Sequence, residues 1–249
     1  MDKRVKDRIC SAIEKQTRTF FPSLLDLIFP PRCVSCKALG QRLCDSCAGG
    51  ISWIDSNICA KCGLPLKLNT SHCCIDPVGL RFVRSAAVFS GAMRKALHAM
   101  KYYSDRSLAE QLIRRAHPHW HPPSWDFDAL MPVPLGRQRQ QTRGYNQSHL
   151  LASALSRIVD IPVDTKSLFR VRETQSQVGL SIRARKENTA NAFRADAVHD
   201  RKVLLIDDVC TTGATLQSCA EALVQAGSTG VGAITIARAV LPAVLQEFQ

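Results

Sequence analysis

One stretch, VLLIDDVCTTGATL at Val203–Leu216, restricts the possible folds more than any other. Four apolar residues make a buried strand, two aspartates stand at its carboxyl end, and Thr211-Thr212-Gly213-Ala214-Thr215 opens a helix. Open α/β sheets bind their ligands at the carboxyl ends of the strands. A helix N-terminus with successive free backbone N–H groups is a phosphate cradle. Gly213 lets the backbone turn sharply, and the threonine hydroxyls add donors. Carboxylates just ahead of such a cradle would repel a phosphate, but they suit hydrogen bonds from hydroxyl groups. A phosphate beside two hydroxyls describes a ribose 5-phosphate. The chain contains neither GxxxxGK[ST] nor GxGxxG, so this is not a Walker loop or a dinucleotide fingerprint.

The surrounding pattern agrees with such a sheet. Arg81–Ser90 reads as a strand, and Gly91–Tyr103 as a helix with Met93, Leu97 and Met100 on one face. Ala129–Pro134 reads as a strand, and Gly144–Val159 as a helix with Leu150, Leu151, Ala154, Leu155 and Ile158 at helical spacing. Lys202–Ile206 is a strand, Thr215–Ala226 a helix and Val231–Ala237 a strand. Strands alternating with helices imply a mainly parallel sheet covered on both faces. His117–Ser124 (HPHWHPPS) holds three histidines, but its prolines deny them ligand spacing on a helix, so it reads as a loop.

The cysteines mark a second unit. Nine of the eleven lie from Cys10 to Cys74, six of them in three CxxC pairs, at one end of an otherwise globular chain. A secreted disulfide scaffold would be shorter, so the pattern suggests metal ligands in a reducing compartment, and hence a cytoplasmic protein. Cys33-x2-Cys36 and Cys44-x2-Cys47 can complete a tetrahedral zinc shell with no open position, which makes the site structural. Cys59-x2-Cys62 with Cys73 or Cys74, beside His72, could hold a second zinc. The alternative is a vestigial knuckle with reduced thiols, because the side chains of adjacent cysteines diverge.

Charge and hydropathy exclude other classes. Hydrophobic residues make up 45% of the chain, enough for a core, and no run of 18 apolar residues offers a membrane span. The N-terminus lacks a continuous apolar stretch and a cleavage site, which argues against a secretory signal. The net charge is +12, and Arg137 to Lys186 carries ten Lys/Arg against three Asp/Glu. That belt is either a solvated surface or a site for phosphates or nucleic acid.

The stretch around Asp207 and Asp208 resembles the phosphoribosyl-diphosphate (PRPP) motif of type I phosphoribosyltransferases. The chain from about Pro30 to Ala239 resembles one branch, the ComF/GntX family, which joins a cysteine zinc module to a phosphoribosyltransferase domain and is associated with competence and DNA use. The resemblance also rests on Met100-Lys101-Tyr102-Tyr103, Pro132-Val133-Pro134-Leu135 and Arg143-Gly144-Tyr145-Asn146-Gln147. Gln177-Val178-Gly179-Leu180-Ser181 with Arg183, Asn188 and Ala192-Phe193 completes it. Apolar residues at Leu24, Leu25, Leu27 and Ile28 before Pro30-Pro31 make residues 1–31 read as an N-terminal amphipathic lead-in, and the resemblance implies a zinc module of double zinc ribbon type over 32–78 and a phosphoribosyltransferase domain over 79–249 with its core at 129–239. The fold implied is α/β, a type I phosphoribosyltransferase-like parallel sheet flanked by helices.

By resemblance, Asp207 and Asp208 hold the ribose hydroxyls and Thr211 through Thr215 the 5-phosphate. Residues from Val133, Pro134 and Leu135 to Arg137 and Arg139 fall where type I enzymes bind diphosphate, with Arg143 and Lys101 as further candidates. Gln175 to Asn188 matches the mobile loop closing over the sugar, with Arg183 and Asn188 as contacts. Mg²⁺ would accompany PRPP. Three readings follow: phosphoribosyl transfer to an unidentified acceptor base, a PRPP sensor without chemistry, and a zinc-containing adaptor for single-stranded DNA or uptake proteins.

Overall fold

Buried strands show their faces by alternation, and the strands Lys202–Cys210 and Gly230–Arg238 do so over most of their length. Leu204, Ile206, Ile234 and Ile236 join one apolar cluster, whereas Val203, Leu205, Val231 and Ala233 join another. A sheet covered on both sides needs apolar residues at both phases, which is why these strands read as continuous apolar runs. The structure, a computed structural model, describes residues 30–54, 58–64, 79–102, 106–173 and 189–240. Residues 1–29, Cys73, Cys74, Arg183 and Asn188 lie outside the described residues.

Four strands form one parallel sheet: β1 (Leu80–Val88), β6 (Gly230–Arg238), β5 (Lys202–Cys210) and β2 (Ala129–Pro132), in that order. A parallel bridge from Leu130 to Val163 extends the β2 edge. On one face lie α2 (Gly91–Tyr102), α3 (Arg106–Ala116) and α5 (Gln147–Val159), packed with the wholly buried Trp120. Its indole Nε1 donates to Thr235 O at 2.7 Å, so the ring is held over the middle of β6. On the other face lie α6 (Ala214–Gln225) and a small antiparallel pair, β3 (Leu168–Arg170) with β4 (Phe193–Ala195). The ribbon contributes α1 (Asp45–Gly49).

Most boundaries shift by one or two residues from the sequence reading, the strand read as Ala129–Pro134 ending at Pro132, and two larger differences bear on the site. The helix expected over Gly144–Val159 starts at Gln147, after a separate short helix α4 (Arg137–Arg143). Gly144, at φ +74°, ends α4 in the left-handed region, and Asn146 caps α5 by accepting from Ser148 N at 3.0 Å. The strand expected over Lys202–Ile206 continues to Cys210, so Asp207 and Asp208 lie within it. Three of the last four residue positions still pair with β6, which is why the acids do not end the strand.

Two of the three histidines of the proline-rich stretch, His117 and His119, pack against tryptophan rings, and His121 is exposed. His117-Pro118-His119 forms a 3₁₀ turn, and His119 stacks on Trp53 at 4.2 Å. Among the described residues, no helix is long and apolar enough to cross a membrane.

Candidate functional site

A cavity of about 650 Å³ opens at the carboxyl end of the sheet, where β5 hands over to α6. Its walls come from the end of β5, the turn into α6, the segment after β2, the helices Arg137–Arg143 and Gln147–Val159, the end of α2, Phe89 after β1, and β3. Of the residues singled out from sequence, Lys101, Val133, Pro134, Leu135, Arg139, Arg143, Asp207, Asp208, Thr211, Gly213, Ala214 and Thr215 line it. Two do not. Thr212 turns back to accept weakly from Ala214 N at 3.4 Å, and Arg137 is exposed outside the wall. The reason lies in α4: its first turn points the Arg137 side chain outward, while its backbone N–H donates to Glu173 Oε1.

The two acids have different surroundings. Asp207 Oδ1 accepts from Ser148 Oγ at 2.8 Å and from Asp208 N at 2.9 Å. Burial, reinforced by the neighbouring Asp208 charge, pushes the Asp207 carboxyl up to about 7. Asp208 Oδ2 is ion-paired with Lys101 Nζ at 2.8 Å. Each acid therefore keeps one oxygen, Asp207 Oδ2 and Asp208 Oδ1, with no hydrogen bond or ion pair among the described residues. Those two oxygens are the ones able to accept from a ligand's hydroxyls.

Beside the acids the backbone forms an anion seat. Gly213 is the N-cap of α6 at φ +81°, and no acidic residue occupies the first turn of that helix. Open N–H groups there favour negative charge. Thr189 and Ser218 fasten the helix from behind, with Ser218 Oγ donating to Thr189 O at 2.7 Å.

Cations ring the remainder. Arg139, Arg143 and Arg170 line the cavity together with Lys101. Burial and the nearby Arg139 charge both push the Arg170 guanidinium down. Two arginines kept close within one cavity favour an anion of high charge, such as diphosphate. Arg170, Ser148, Gln147, Tyr102 and His98 were not singled out as ligand contacts. Tyr102 and Gln147 stood inside quoted motifs, but β3 is three residues long and gives no periodic signal for Arg170.

The ribbon carries the metal-binding geometry. Its Cys33, Cys36, Cys44 and Cys47 sulfurs lie within 4.8 Å of one another, and Cys36 to Cys44 is 3.6 Å. Four ligands at about 2.3 Å around tetrahedral zinc stand about 3.8 Å apart, so the set fits. Against the effect of burial, backbone N–H groups of Cys44, Cys36 and Ser35 bring the Cys33 thiol down to about 6. The Cys47 thiol stands at about 12, because the pull of Ser35 is outweighed by the Cys36 and Cys44 sulfurs. Four thiolates this close need a cation to ionise together. Leu43, wholly buried, and an Arg115–Asp45 contact at 2.6 Å hold the ribbon against α3.

The second knuckle, Cys59 to Cys62, meets two buried arginines. Arg84 Nη2 donates to Ala60 O at 2.8 Å, and Arg238 Nη1 to Cys62 O at 3.1 Å. Among the described residues only the first four cysteines form a metal-ligating cluster. The co-ligands read for Cys59 and Cys62 lie outside them.

Comparison with known proteins agrees with both parts. The chain matches the Double zinc ribbon domain over residues 24–76 and the Phosphoribosyl transferase domain over residues 146–240. It is 31% identical over 218 residues to the DNA utilization protein YhgH of Escherichia coli, spanning 82% of this chain and 96% of that protein. It is 32% identical over 229 residues to competence protein F of Haemophilus influenzae, spanning 84% and 97%. With competence protein ComFC of Bacillus subtilis the identity is 27%, over 80% of this chain and 85% of that one. Among solved structures, a Mycobacterium tuberculosis orotate phosphoribosyltransferase is 16% identical, covering 62% of this chain and 73% of that one at a TM-score of 0.34. That likeness is too loose to bear on function. A parallel sheet with helices on both faces, a four-cysteine ribbon and relatives at this identity over nearly their whole length lead to one statement: the chain belongs to the ComF/GntX family of competence and DNA-utilization proteins, with a phosphoribosyltransferase-type domain.

Proposed function

We propose that this protein binds PRPP in the cavity at the end of β5 and transfers its phosphoribosyl group to an acceptor. One observation carries the reading: Asp207 and Asp208, each with an oxygen free of described partners, adjoin the Gly213-capped N-terminus of α6 in one cavity. The acids would take the ribose hydroxyls, and the α6 amides with Thr211 and Thr215 the 5-phosphate. Lys101, Arg139, Arg143 and Arg170 suit the diphosphate.

In the transfer, the bond from the anomeric carbon to diphosphate oxygen breaks and its electron pair leaves on diphosphate. The acceptor's lone pair forms the new bond, and the acceptor's proton passes to water. The cationic side chains stabilise the departing charge. The acids do not form an all-protein cage for a hard cation, because Lys101 already holds Asp208. Mg²⁺ would enter on the oxygens of PRPP and neutralise part of their charge. A role in DNA uptake or use is proposed from the names of the relatives alone.

Calorimetric titration of PRPP, with and without Mg²⁺, tests the reading. Binding is expected for the wild type, with a loss of at least about tenfold in the Asp207→Asn/Asp208→Asn variant, the scale of two lost hydrogen bonds to charged groups. No binding of PRPP would overturn it. Diphosphate release on adding bases separates transfer from sensing. Binding of oligonucleotide instead of PRPP, falling steeply with salt, would favour the adaptor.

A further inference from the structure

The anion seat has a support behind it, from a residue that does not line the cavity. Arg238, the last residue of β6, is 8% exposed and stands opposite Cys210, the last residue of β5. One nitrogen, Nη1, donates to Cys210 Sγ at 3.2 Å and to Cys62 O of the second knuckle at 3.1 Å. Cys210 does line the cavity, and its sulfur also takes the backbone N–H of Gly213, the N-cap of α6. One line of contacts therefore runs from the ribbon's second knuckle, through Arg238 and Cys210, to the turn that presents the α6 amides.

The arginine is incompletely compensated. It has no carboxylate partner among the described residues, and its buried Nε has no acceptor there. A buried cation is costly unless its charge is met. A carbonyl and a thiol meet it in part. The remaining positive charge lies one residue behind a seat that already favours anions, so a bound phosphate and the guanidinium stabilise each other. The far end of the line is also fixed. Lys61 O accepts from Val83 N at 2.8 Å, and Arg84 Nη2 donates to Ala60 O at 2.8 Å, so the knuckle lies tight on β1 and Cys62 O is a firm anchor.

We propose that Arg238 is a positioning residue for the 5-phosphate: without touching the ligand it fixes Cys210, and through Cys210 the Gly213 turn, and it makes the second knuckle a structural part of the phosphate seat. The diphosphate end is held separately, by Lys101, Arg139, Arg143 and Arg170 from α2, α4 and β3. The inference rests on the PRPP reading for the identity of the ligand, and the line from Cys62 O to Gly213 stands without it.

The test uses the full-length, zinc-loaded protein and three probes, ribose 5-phosphate, diphosphate and PRPP with Mg²⁺, each titrated by calorimetry. Arg238→Met leaves no carboxylate unpaired, so it is expected to fold. Its melting temperature is measured alongside, and Arg238→Gln takes its place if it does not fold. Arg238→Met should weaken ribose 5-phosphate about fivefold and leave diphosphate within about twofold. Arg238→Lys should restore wild-type affinity, because one nitrogen makes both contacts. Cys210→Ala should weaken ribose 5-phosphate about fivefold, and adding Arg238→Met to it should change the affinity less than about twofold. Gly63→Ala, which pushes the knuckle off β1, should weaken ribose 5-phosphate in the wild-type background and not in Arg238→Met. Equal loss of both anions in Arg238→Met would make Arg238 merely structural and overturn the inference. Unchanged ribose 5-phosphate affinity, or full additivity with Cys210→Ala, would also overturn it, and PRPP binding would still leave the PRPP reading standing. Ribose 5-phosphate binding with these effects, while PRPP fails to bind, would overturn the PRPP reading and keep the positioning role. Failure of all three probes would overturn both.

Discussion

Lys101 Nζ lies 2.8 Å from Asp208 Oδ2, with their side chains 27% and 13% exposed, so a cation from the second helix holds one acid of the pair at the end of β5. The pair joins α2 to β5, and both residues line the cavity. It also bears on Asp207, whose carboxyl the Lys101 charge pulls down against burial and the Asp208 charge. Replacing Lys101 by Met removes that pull. The midpoint of Asp207 ionisation should therefore rise above its present value of about 7, and the pH at which PRPP binds best should rise with it. Lys101→Arg should restore the wild-type profile. A pH series of PRPP titrations on the three proteins checks this.

Asp207 also links stability to pH. Its folded value of about 7 stands above the ordinary 3.8, so between these values the folded chain holds a proton that the unfolded chain releases. Stability then falls as pH rises through that window. Asp207→Asn keeps an oxygen for the Ser148 hydrogen bond and removes the ionisation. Its melting temperature should exceed the wild type at pH 8 and match it near pH 4, measured by calorimetry at both.

Gly213 and Gly63 both have positive φ, at +81° and +68°, but for different reasons. A Cβ on Gly213 would meet only Cys210 Sγ at 3.9 Å, so Gly213→Ala carries only the left-handed backbone cost of about 1–2 kcal/mol. A Cβ on Gly63 would stand 2.4 Å from Val83 O, where the second knuckle lies on β1. Gly63→Ala should cost more than about 3 kcal/mol, since overpacking adds to the backbone term. Urea denaturation of the two variants gives the order. PRPP binding separates them the other way, with Gly213→Ala the more affected.

The ribbon should hold zinc through Cys33, Cys36, Cys44 and Cys47. Metal analysis of purified protein is expected to give at least one equivalent, and Cys44→Ser to remove one. Because Leu43 and Asp45 flank Cys44 and pack on α3, metal loss should also lower the melting temperature. Zinc content unchanged by Cys44→Ser would contradict this assignment.

Some elements were legible because local chemistry dictates them. β5 and β6 are apolar at both phases, α5 carries an apolar stripe at helical spacing, and two CxxC turns state a zinc set within fifteen residues. Others were not. RQRQQTR in α4 has no apolar face, and β3 and β4 are too short to show a period. The strand end was misplaced because aspartates usually leave a strand, whereas here pairing with β6 carries it to Cys210.

The same division runs through the cavity. The acid pair, Gly213 and the threonines were readable because strand, turn and helix follow one another without a gap. From such a run the sequence alone determined an α/β sheet with an anion seat at a strand's end. The tertiary structure alone decided that Ser148 serves Asp207, that Lys101 serves Asp208, that Arg137 stands outside while Arg170 lines the wall, and that Tyr102, Arg143 and Gln147 share a cavity with them. Some of these residues lie more than a hundred positions apart, and only the packing of helices across an open parallel sheet sets the distances between them.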